Sequence, residues 1–320
     1  MISRDSHFFW NLAMPRAIIP GTIPDDKLFQ AIAPGFTKYG DKFELIVGTA
    51  TGIDINNKQV KVYKAGQETF ISYDYLLIGT GSSTKAESPF KSRGSTDATR
   101  DYVHVYQKRV GEAQSIIVAG AGPTGVEVAG ELADYYVLDN RPDSVSKSAH
   151  SQLEKLGVKI RLNTKANESI TLPNGKQKVT FSDGKTVVTD LLIPTFGVVP
   201  NSSLIPPNLL DAHGYIKVDQ YLAIEGREDV FAIGDVSNVE APQFWFVNTQ
   251  AGHMAKNLVQ TMLGKPMIPY KASTTPMGGM QIGKSGVGHY GNWRIPGFMV
   301  HAIRKTLFVE QLPKMIDNGN

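Results

Sequence analysis

The chain has 320 residues, of which 41% are hydrophobic and 20% are charged, a composition typical of a globular protein and not of a disordered one. Its formal net charge is only +3, and no dense stripe of lysine and arginine with interleaved aromatic residues occurs, so nucleic-acid binding is disfavoured. The sequence contains no cysteine, which excludes disulfide scaffolding, thiolate metal sites and a redox-active cysteine pair in this chain. Its histidines are scattered without metal-ligand spacing, so we expect no metal site.

The first forty residues form an apolar segment that prolines interrupt, and nothing before them supplies a surface to pack on. From residue 43 onward the pattern predicts a strand at 43–47, a turn at 48–52 and a hairpin at 54–63. Residues 73–81 are predicted to form a buried strand that ends in a turn of small residues. An exposed connection at 84–100 and a helix from about residue 102 follow.

A glycine motif dominates the middle of the chain. The apolar residues 116–118 predict a strand buried on both faces, and residues 126–135 predict a helix. Between them, Gly120, Gly122 and Gly125 give the spacing G-x-G-x-x-G. In such a motif the first glycine permits a tight turn, the second lets the backbone approach a pyrophosphate, and the third lets the helix pack closely on the strand. The motif predicts a dinucleotide site, and the alternative is a glycine-rich turn without a ligand.

Two later stretches of the chain resemble each other. In both 73–81 and 189–197 an aspartate precedes apolar residues, and a glycine follows seven positions later, from Asp74 to Gly81 and from Asp190 to Gly197. Both stretches follow a hairpin, the second after a helix at 146–156 and a strand at 158–162. The pattern predicts two copies of one nucleotide-binding unit, and the alternative is two unrelated buried strands.

The repeat implies that the first copy has its own glycine motif near or before residue 4, and none occurs there. We therefore expect either that the first unit lacks its phosphate loop or that this chain begins after it.

A third motif lies at residues 229–235, where a short apolar strand delivers Gly234 and Asp235 at its carboxyl end. Ligands bind at such ends in open α/β sheets. An aspartate there can accept a hydrogen bond from a ribityl or ribose hydroxyl, and the alternative is an ordinary strand-end turn. The helix that begins near residue 244 starts with aromatic residues, which predict either a contact with a cofactor ring or core packing.

In combination, the three motifs resemble those of flavoprotein reductases with two dinucleotide-binding domains, and more closely the apoptosis-inducing-factor-like branch that includes the ferroptosis suppressors. The resemblance also covers the start at 5–12 and the C-terminal segment. It implies an α/β fold of two Rossmann-like, three-layer ββα domains, one inserted in the other. The implied domains are a flavin domain at 1–110 and 201–270, a dinucleotide domain at 111–200 and a C-terminal α+β segment at 271–320.

The same resemblance implies two cofactors, FAD and NAD(P)H. FAD would be held by the turn of Thr80 and Gly81, by backbone near Val47, and by Gly234 and Asp235. The residues implied for NAD(P)H are Gly120, Gly122, Pro123, Thr124 and Gly125, with Gly197 and the candidate catalytic residue Glu127 near the nicotinamide. Asp139 has the spacing of an acid that binds the adenosine ribose, but little of the strand that would present it is evident.

By resemblance, the activity is electron transfer from NAD(P)H through FAD to a quinone or another small acceptor. Because the chain has no cysteine, electrons would pass from the flavin directly to the acceptor. The alternative is a non-catalytic nucleotide-binding or interaction protein descended from such an enzyme, in which FAD binding is weakened or lost.

The last predicted element, at 296–308, has a basic amphipathic pattern. It places Phe298, Met299, Ile303, Leu307 and Phe308 toward one side, with Arg304 and Lys305 beside them. Such a helix can lie on a membrane surface, where a lipid quinone would be reached, and the alternative is packing on the protein's own domain. We therefore expect a cytoplasmic protein with peripheral contact to an organelle or lipid-droplet membrane.

Overall fold

Short strands dominate the first 84 residues. The computed structural model describes residues 1–133, 135–138, 143–275 and 277–316, with side chains at all of these except 135–138 and 143–146. The strands are β1 (Ile2–Ser3), β2 (His7–Phe9), β3 (Phe29–Ala31), β4 (Ile46–Val47), β5 (Thr49–Asp54), β6 (Gln59–Lys64), β7 (Gln67–Ser72), β8 (Leu76–Ile78) and β9 (Ser82–Thr84). Two short helices lie between them, α1 (Met14–Ala17) and α2 (Asp25–Leu28).

Helices and strands alternate at first in the middle of the chain. In order they are α3 (Thr96–Glu112), β10 (Ile116–Ala119), α4 (Pro123–Leu132), β11 (Tyr135–Leu138), α5 (Asp143–Lys155), β12 (Lys159–Leu162), β13 (Ala166–Thr171), β14 (Gln177–Phe181), β15 (Thr186–Thr189), β16 (Leu191–Pro194) and β17 (Val198–Pro200). The remaining elements are β18 (Val230–Ala232), α6 (Phe244–Met262), β19 (Met277–Ile282), β20 (Ser285–Tyr290), β21 (Trp293–Ile295), α7 (Gly297–Arg304) and α8 (Leu312–Ile316).

The chain divides into two units, each assembled from three segments. Unit 1 comprises Met1–Arg4, Glu44–Ser83 and Val198–Thr274, and unit 2 comprises Asp5–Phe43, Thr84–Gly197 and Thr275–Asn320. In this division residues 5–43 and 84–110 lie in unit 2. The domain boundaries given by the resemblance stay a prediction.

Unit 2 is built on a parallel sheet with the strand order β12-β11-β10-β16. All four residues of β10 are buried, because the antiparallel sheet β13-β14-β15 covers the parallel sheet through contacts of Val179 and Phe181 with Ile117. Helix α4 follows β10 directly and connects it to the parallel strand β11, as in a βαβ unit. These three layers confirm the predicted ββα class for this unit.

The C-terminal segment of unit 2 forms a second antiparallel sheet, β19-β20-β21. It packs on α4, where a Cβ added to Gly130 would lie 3.0 Å from the Ile282 Cα. The N-terminal apolar segment packs in the same region, since Trp10 is buried and its indole Nε1 donates to the Leu307 carbonyl at 2.8 Å. That contact supplies the surface which the local sequence around residues 8–19 lacks.

Unit 1 repeats this plan in part. Its antiparallel sheet β5-β6-β7 precedes β8, as β13-β14-β15 precedes β16 in unit 2. Its parallel strands form two pairs, β1 with β4 and β8 with β18, and in the described residues of unit 1 no strand joins the pairs. One core that includes Ile53, Val62 and Ile78 nevertheless underlies both pairs and the antiparallel sheet.

Several local predictions are wrong. The helix expected at 126–135 runs from Pro123 to Leu132, and the strand of which little was evident is β11, which pairs with β10 and β12. Residues 48–52 were expected to form a turn, but β5 begins at Thr49 because residues 49–54 pair with β6. The helix expected from about residue 102 begins at Thr96, since the Ser95 hydroxyl caps it by accepting a hydrogen bond from the Ala98 N–H at 3.2 Å. A serine at this position satisfies an N–H that the helix itself leaves unpaired.

Asp190, one of the two repeated aspartates, joins the beginnings of β10 and β16. Its carboxylate accepts hydrogen bonds from the N–H and hydroxyl of Ser115 at 2.9 and 2.8 Å and lies 2.8 Å from the Lys176 ammonium. The bond to Lys176 and those to Ser115 lower the pKa of Asp190 from 3.8 to about 2. The corresponding Asp74 of unit 1 is exposed.

We expect Asp190→Asn to destabilise unit 2 at neutral pH and to remove part of the acid sensitivity of folding. Because the pKa of Asp190 is lower in the folded state, the stability it contributes is complete above its ordinary pKa and is lost as pH falls toward about 2. Thermal melts from pH 6 to pH 2 should therefore show a smaller decline for the variant than for the wild type. Parallel declines would contradict this role.

Candidate functional site

The glycine loop of unit 2 lies between β10 and α4, and its geometry requires glycine at two positions. Gly120 has a φ of +123°, and a Cβ there would lie 2.5 Å from the Thr195 hydroxyl oxygen. A Cβ on Gly125 would overlap the Gly120 carbonyl oxygen. These two glycines therefore set the turn and the close packing of helix on strand, as the motif requires.

Gly122 differs from both. It has an ordinary extended conformation (φ −66°, ψ 173°), and a Cβ there would meet no protein atom within 4 Å. Nothing in the folded chain therefore requires glycine at this position. The free space beside its backbone lies at the N-terminus of α4, whose first N–H groups have no partner within the helix and carry partial positive charge. A phosphate fits such a place.

The residues around Gly122 are suited to the same ligand. Pro123 occupies the first turn of α4, where a missing N–H costs nothing, and Thr124 follows it, half-buried. Because the open side of Gly122 is where a side chain would otherwise stand, the loop fits a dinucleotide pyrophosphate. That each residue of the glycine loop binds the dinucleotide stays a prediction.

Residues at the end of β16 complete this edge of unit 2. The Thr195 hydroxyl donates to the Ala119 carbonyl at 3.0 Å and fastens the ends of β16 and β10 together. Gly197 has a φ of +79°, and its carbonyl accepts a hydrogen bond from the Lys85 N–H at 2.8 Å. Sequence reasoning missed Thr195, although it lies in the repeated stretch 189–197. It also missed Lys85, to which no motif pointed.

Glu127 lies one turn into α4 and is buried, with 4% of its surface exposed. Its Oε1 accepts a hydrogen bond from the Arg304 guanidinium of α7 at 2.6 Å and another from the Gln281 N–H of β19 at 3.2 Å. Burial raises the pKa of Glu127, and the charge of Arg304 opposes that rise. The carboxylate therefore ties the glycine-loop helix to the C-terminal segment, a contact that sequence reasoning missed, and its catalytic role stays a prediction.

The candidate flavin residues of unit 1 lie where two parallel strands end. β8 pairs with β18 in the register Leu76 with Val230 and Ile78 with Ala232. Their carboxyl ends therefore meet at one edge of the sheet. This register brings the turn of Thr80 and Gly81 beside that of Gly234 and Asp235. The Ser82 hydroxyl donates to Asp235 Oδ2 at 2.7 Å and joins the two turns directly.

Both turns contain glycines that a flavin site can use. Gly81 and Gly234 have φ values of +67° and +76°, a region in which other residues are strained. A Cβ on Gly79 or Gly81 would meet no protein atom within 4 Å. The open space above this turn and the carboxylate of Asp235 beside it fit the sugar-alcohol and phosphate part of a flavin nucleotide.

Asn201 fastens the first turn and was missed from the sequence. Its N–H donates to the Gly81 carbonyl at 2.9 Å, its side-chain amide donates to the Thr80 carbonyl at 2.9 Å, and its backbone carbonyl accepts from the Thr80 hydroxyl at 2.7 Å. Three hydrogen bonds to two neighbouring residues fix the conformation of the turn.

Gln250 of α6 fastens the second turn. Its side-chain oxygen accepts from the Gly234 N–H at 2.7 Å, and its amide donates to Glu240, which also accepts from the Tyr270 hydroxyl. Burial and the hydrogen bond to Glu240 raise the pKa of Tyr270. The sequence held a signal for this contact, because Gln250 is one of two polar residues on the buried stripe of α6 and buried polar side chains require partners.

The other candidates are placed separately. Val47 lies on the β1–β4 pair and is exposed. Of the aromatic residues that open α6, Phe246 is buried and Trp245 is exposed. Asp139 lies outside the described residues.

Known proteins resemble this chain over most of its length. The model of a family described as pyridine nucleotide-disulphide oxidoreductase matches residues 1–252. Oxidoreductase ptaL from Pestalotiopsis fici is 57% identical over 335 aligned residues, which cover 100% of this chain and 90% of that protein. Ferroptosis suppressor protein 1 from Taeniopygia guttata is 27% identical, covering 75% of this chain and 72% of that protein.

Among solved structures, the sulfide:quinone oxidoreductase of Aquifex aeolicus aligns with a TM-score of 0.77 at 15% identity. The alignment covers 100% of this chain and 85% of the Aquifex chain. That likeness confirms the fold class expected from the sequence. The family match spans both units and includes the glycine loop and the two turns of unit 1. The chain belongs to the pyridine nucleotide-disulphide oxidoreductase family, whose members are oxidoreductases that work with FAD and NAD(P)H.

Proposed function

We propose that this protein passes electrons from NAD(P)H through FAD to a quinone or another small acceptor. The observation that carries the proposal is the glycine loop of unit 2, in which a Cβ on Gly122 would meet no protein atom within 4 Å beside the first N–H groups of α4. The alternative of a non-catalytic nucleotide-binding protein is not favoured, because the match to an oxidoreductase family spans 252 residues.

In this proposal the backbone of Gly120, Gly122 and Gly125 and the first turn of α4 bind the pyrophosphate of NAD(P)H. Pro123 and Thr124 lie in that first turn, and Gly197 borders the nicotinamide. Thr195 positions the loop by holding the ends of β10 and β16 together.

The turns of unit 1 hold FAD in this proposal. Asp235 accepts a hydrogen bond from a ribityl hydroxyl, and Ser82 keeps its carboxylate in place. Thr80, Gly81 and Gly234 present backbone groups to the cofactor, and backbone near Val47 contributes further contacts. Asn201 and Gln250 keep the two turns rigid, so that little ordering remains to be done when the cofactor binds.

The chemistry that FAD supplies when bound is acceptance of a hydride from NAD(P)H and release of the two electrons to the acceptor. With a quinone the overall reaction is NAD(P)H + H⁺ + quinone → NAD(P)⁺ + hydroquinone. This chain has no cysteine, so none of its own thiols takes part. Its residues bind and orient the reactants, which is the main contribution of protein in such enzymes.

We expect Asp235→Ala to weaken FAD binding by about tenfold or more, since a hydrogen bond to a charged group contributes about 1.5–3 kcal/mol. Ser82→Ala should weaken it less, because Asp235 itself remains. Equilibrium titration of the apoprotein with FAD, followed by flavin fluorescence, measures both. Equal affinity of Asp235→Ala and wild type would exclude the proposed contact.

The proposed activity is tested by following NADH and NADPH oxidation by the FAD-loaded protein with a short-chain quinone. Ferricyanide and oxygen serve as alternative acceptors. We expect quinone-dependent turnover that Asp235→Ala reduces. If the protein oxidises NAD(P)H with ferricyanide but not with any quinone, quinone is excluded as the acceptor and the reductase activity stands. If it oxidises NAD(P)H with no acceptor at all, the non-catalytic alternative is supported.

We propose that this protein is cytoplasmic and contacts the membrane of an organelle or lipid droplet through residues 271–320. A lipid quinone would be reached there. Of the helices that the structure describes, none is long and apolar enough to cross a bilayer.

A further inference from the structure

Helix α7 directs large apolar side chains away from the protein. Its inner side packs through Val300, which lies over the two glycines of β20: a Cβ added to Gly286 or Gly288 would come within 3 Å of the Val300 side chain. Phe298, Met299 and Ile303 lie on the outer side, and Phe298 is 73% exposed. A helix that faces only water normally has polar residues outward.

The adjoining sheet extends this apolar surface. Trp293 of β21 pairs with Tyr290 of β20, and Ile295 pairs with Gly288. Side chains alternate along a strand, so Tyr290 and Trp293 lie on the face of the sheet that carries α7. Trp293 is 81% exposed. We call the five residues Tyr290, Trp293, Phe298, Met299 and Ile303 the outer C-terminal face.

The surrounding sequence is basic. Between Glu240 and Glu310 the chain has no aspartate or glutamate. Within residues 277–309 the basic residues are Lys284, Arg294, Arg304 and Lys305. Arg304 is paired with Glu127, and Arg294 alternates to the other face of β21 and donates to the Ser148 hydroxyl. Lys284 and Lys305 are exposed. The outer C-terminal face therefore lies in a part of the chain with unbalanced positive charge.

The face is held rigidly in place. The Trp10 indole donates to the Leu307 carbonyl at 2.8 Å, and the Arg16 guanidinium donates to the Lys305 carbonyl at 2.6 Å. Leu307 itself is buried. The exposure of Phe298 and its neighbours is thus a property of a packed segment.

We propose that the outer C-terminal face binds the surface of a bilayer that contains anionic lipid. Tryptophan and tyrosine favour the region between lipid headgroups and acyl chains, and exposed lysine and arginine are attracted to anionic headgroups. A second copy of the chain fits less well, since a two-fold contact would set the same positive segment against itself. The inference rests on the membrane contact proposed above and not on the redox chemistry.

Vesicle binding by the full chain tests this inference. Wild type should co-sediment with phosphatidylcholine vesicles that contain phosphatidylserine, and weakly with phosphatidylcholine alone. Phe298→Ser/Ile303→Ser should weaken partitioning by at least about tenfold through lost apolar burial. Lys305→Ala should weaken it about fivefold, and only with anionic vesicles. The matched control is Val105→Ser, which removes an exposed apolar residue of α3.

Tryptophan fluorescence gives a second readout. Trp10 is buried, whereas Trp245 and Trp293 are exposed. Anionic vesicles should shift the emission of Trp245→Phe to the blue and leave that of Trp293→Phe unchanged. A blue shift that persists in Trp293→Phe would overturn the assignment of the face.

Two further results would overturn the inference. One is vesicle binding that Phe298→Ser/Ile303→Ser does not weaken. The other is a wild type that does not bind vesicles but forms a dimer in sedimentation velocity, while the double variant is monomeric. Quinone reduction by the wild type is measured in parallel with a water-soluble quinone, so that absence of activity with intact vesicle binding counts against the proposed function and not against the face.

Discussion

Replacing Gly122 by alanine is expected to weaken NAD(P)H binding by about tenfold or more without lowering the melting temperature. The backbone at Gly122 has a conformation that alanine adopts freely, and an added Cβ meets no protein atom within 4 Å. The methyl group would occupy only the space assigned to the pyrophosphate. Binding is measured by calorimetric titration with NADH and NADPH, and stability by thermal melting.

Gly125→Ala is the matched comparison. Its Cβ would overlap the Gly120 carbonyl, so both stability and binding should fall, with overpacking costing about 1–3 kcal/mol. Gly252→Ala, at an open position in α6, should lower neither the affinity for NAD(P)H nor the melting temperature. Unchanged affinity in Gly122→Ala would show that no phosphate lies beside this loop.

Removing Arg304 is expected to destabilise the protein by about 3–5 kcal/mol, because Arg304→Leu leaves a buried carboxylate without its partner. Glu127 is buried and Arg304 lies 2.6 Å from its Oε1. The double variant Glu127→Leu/Arg304→Leu should recover most of the loss, since burying neither charge avoids the desolvation penalty. Urea unfolding of the two single variants and the double variant measures the coupling.

If the three variants prove additive, the ion pair does not couple α4 to α7. Glu127→Gln separates this structural role from the catalytic role that the resemblance implies. A catalytic Glu127 predicts a lower kcat at unchanged KM for NAD(P)H, whereas a purely structural Glu127 predicts lower stability with kcat retained.

The strongest sequence patterns were local, and those parts of the fold could be predicted. The glycines at 120, 122 and 125 placed a strand before them and a helix after them, because Gly120 and Gly125 are required by the turn and the packing, and Gly122 leaves space for a phosphate. The repeated Asp-to-Gly spacing in turn predicted the strands β8 and β16, each of which follows an antiparallel sheet.

Contacts between distant residues could not be predicted in the same way. Glu127 meets Arg304 across 177 residues, and Asn201 reaches Thr80 across 121 residues. Neither pair has a local pattern, so only the folded chain reveals them. The candidate flavin turns could be located from sequence, but the side chains that hold them rigid could not.

The C-terminal helix shows where periodicity misleads. The pattern at 296–308 placed Leu307 on the same side as Phe298, but α7 ends at Arg304, and Leu307 and Phe308 have φ values of 49° and 58°. The chain therefore leaves the helix before Leu307, which turns inward and is buried. The prediction was wrong for Leu307, and it held for the exposed Phe298, Met299 and Ile303.

An anaerobic titration of the FAD-loaded protein with NADH, and then with NADPH, followed by the visible absorbance of the flavin, tests the proposed electron transfer. One of the two nucleotides should bleach the flavin band in proportion to the amount added, and a quinone should restore the band. Gly122→Ala should require more nucleotide for the same bleaching. A protein that takes up no FAD, or whose flavin band neither nucleotide changes, would contradict the proposed electron transfer.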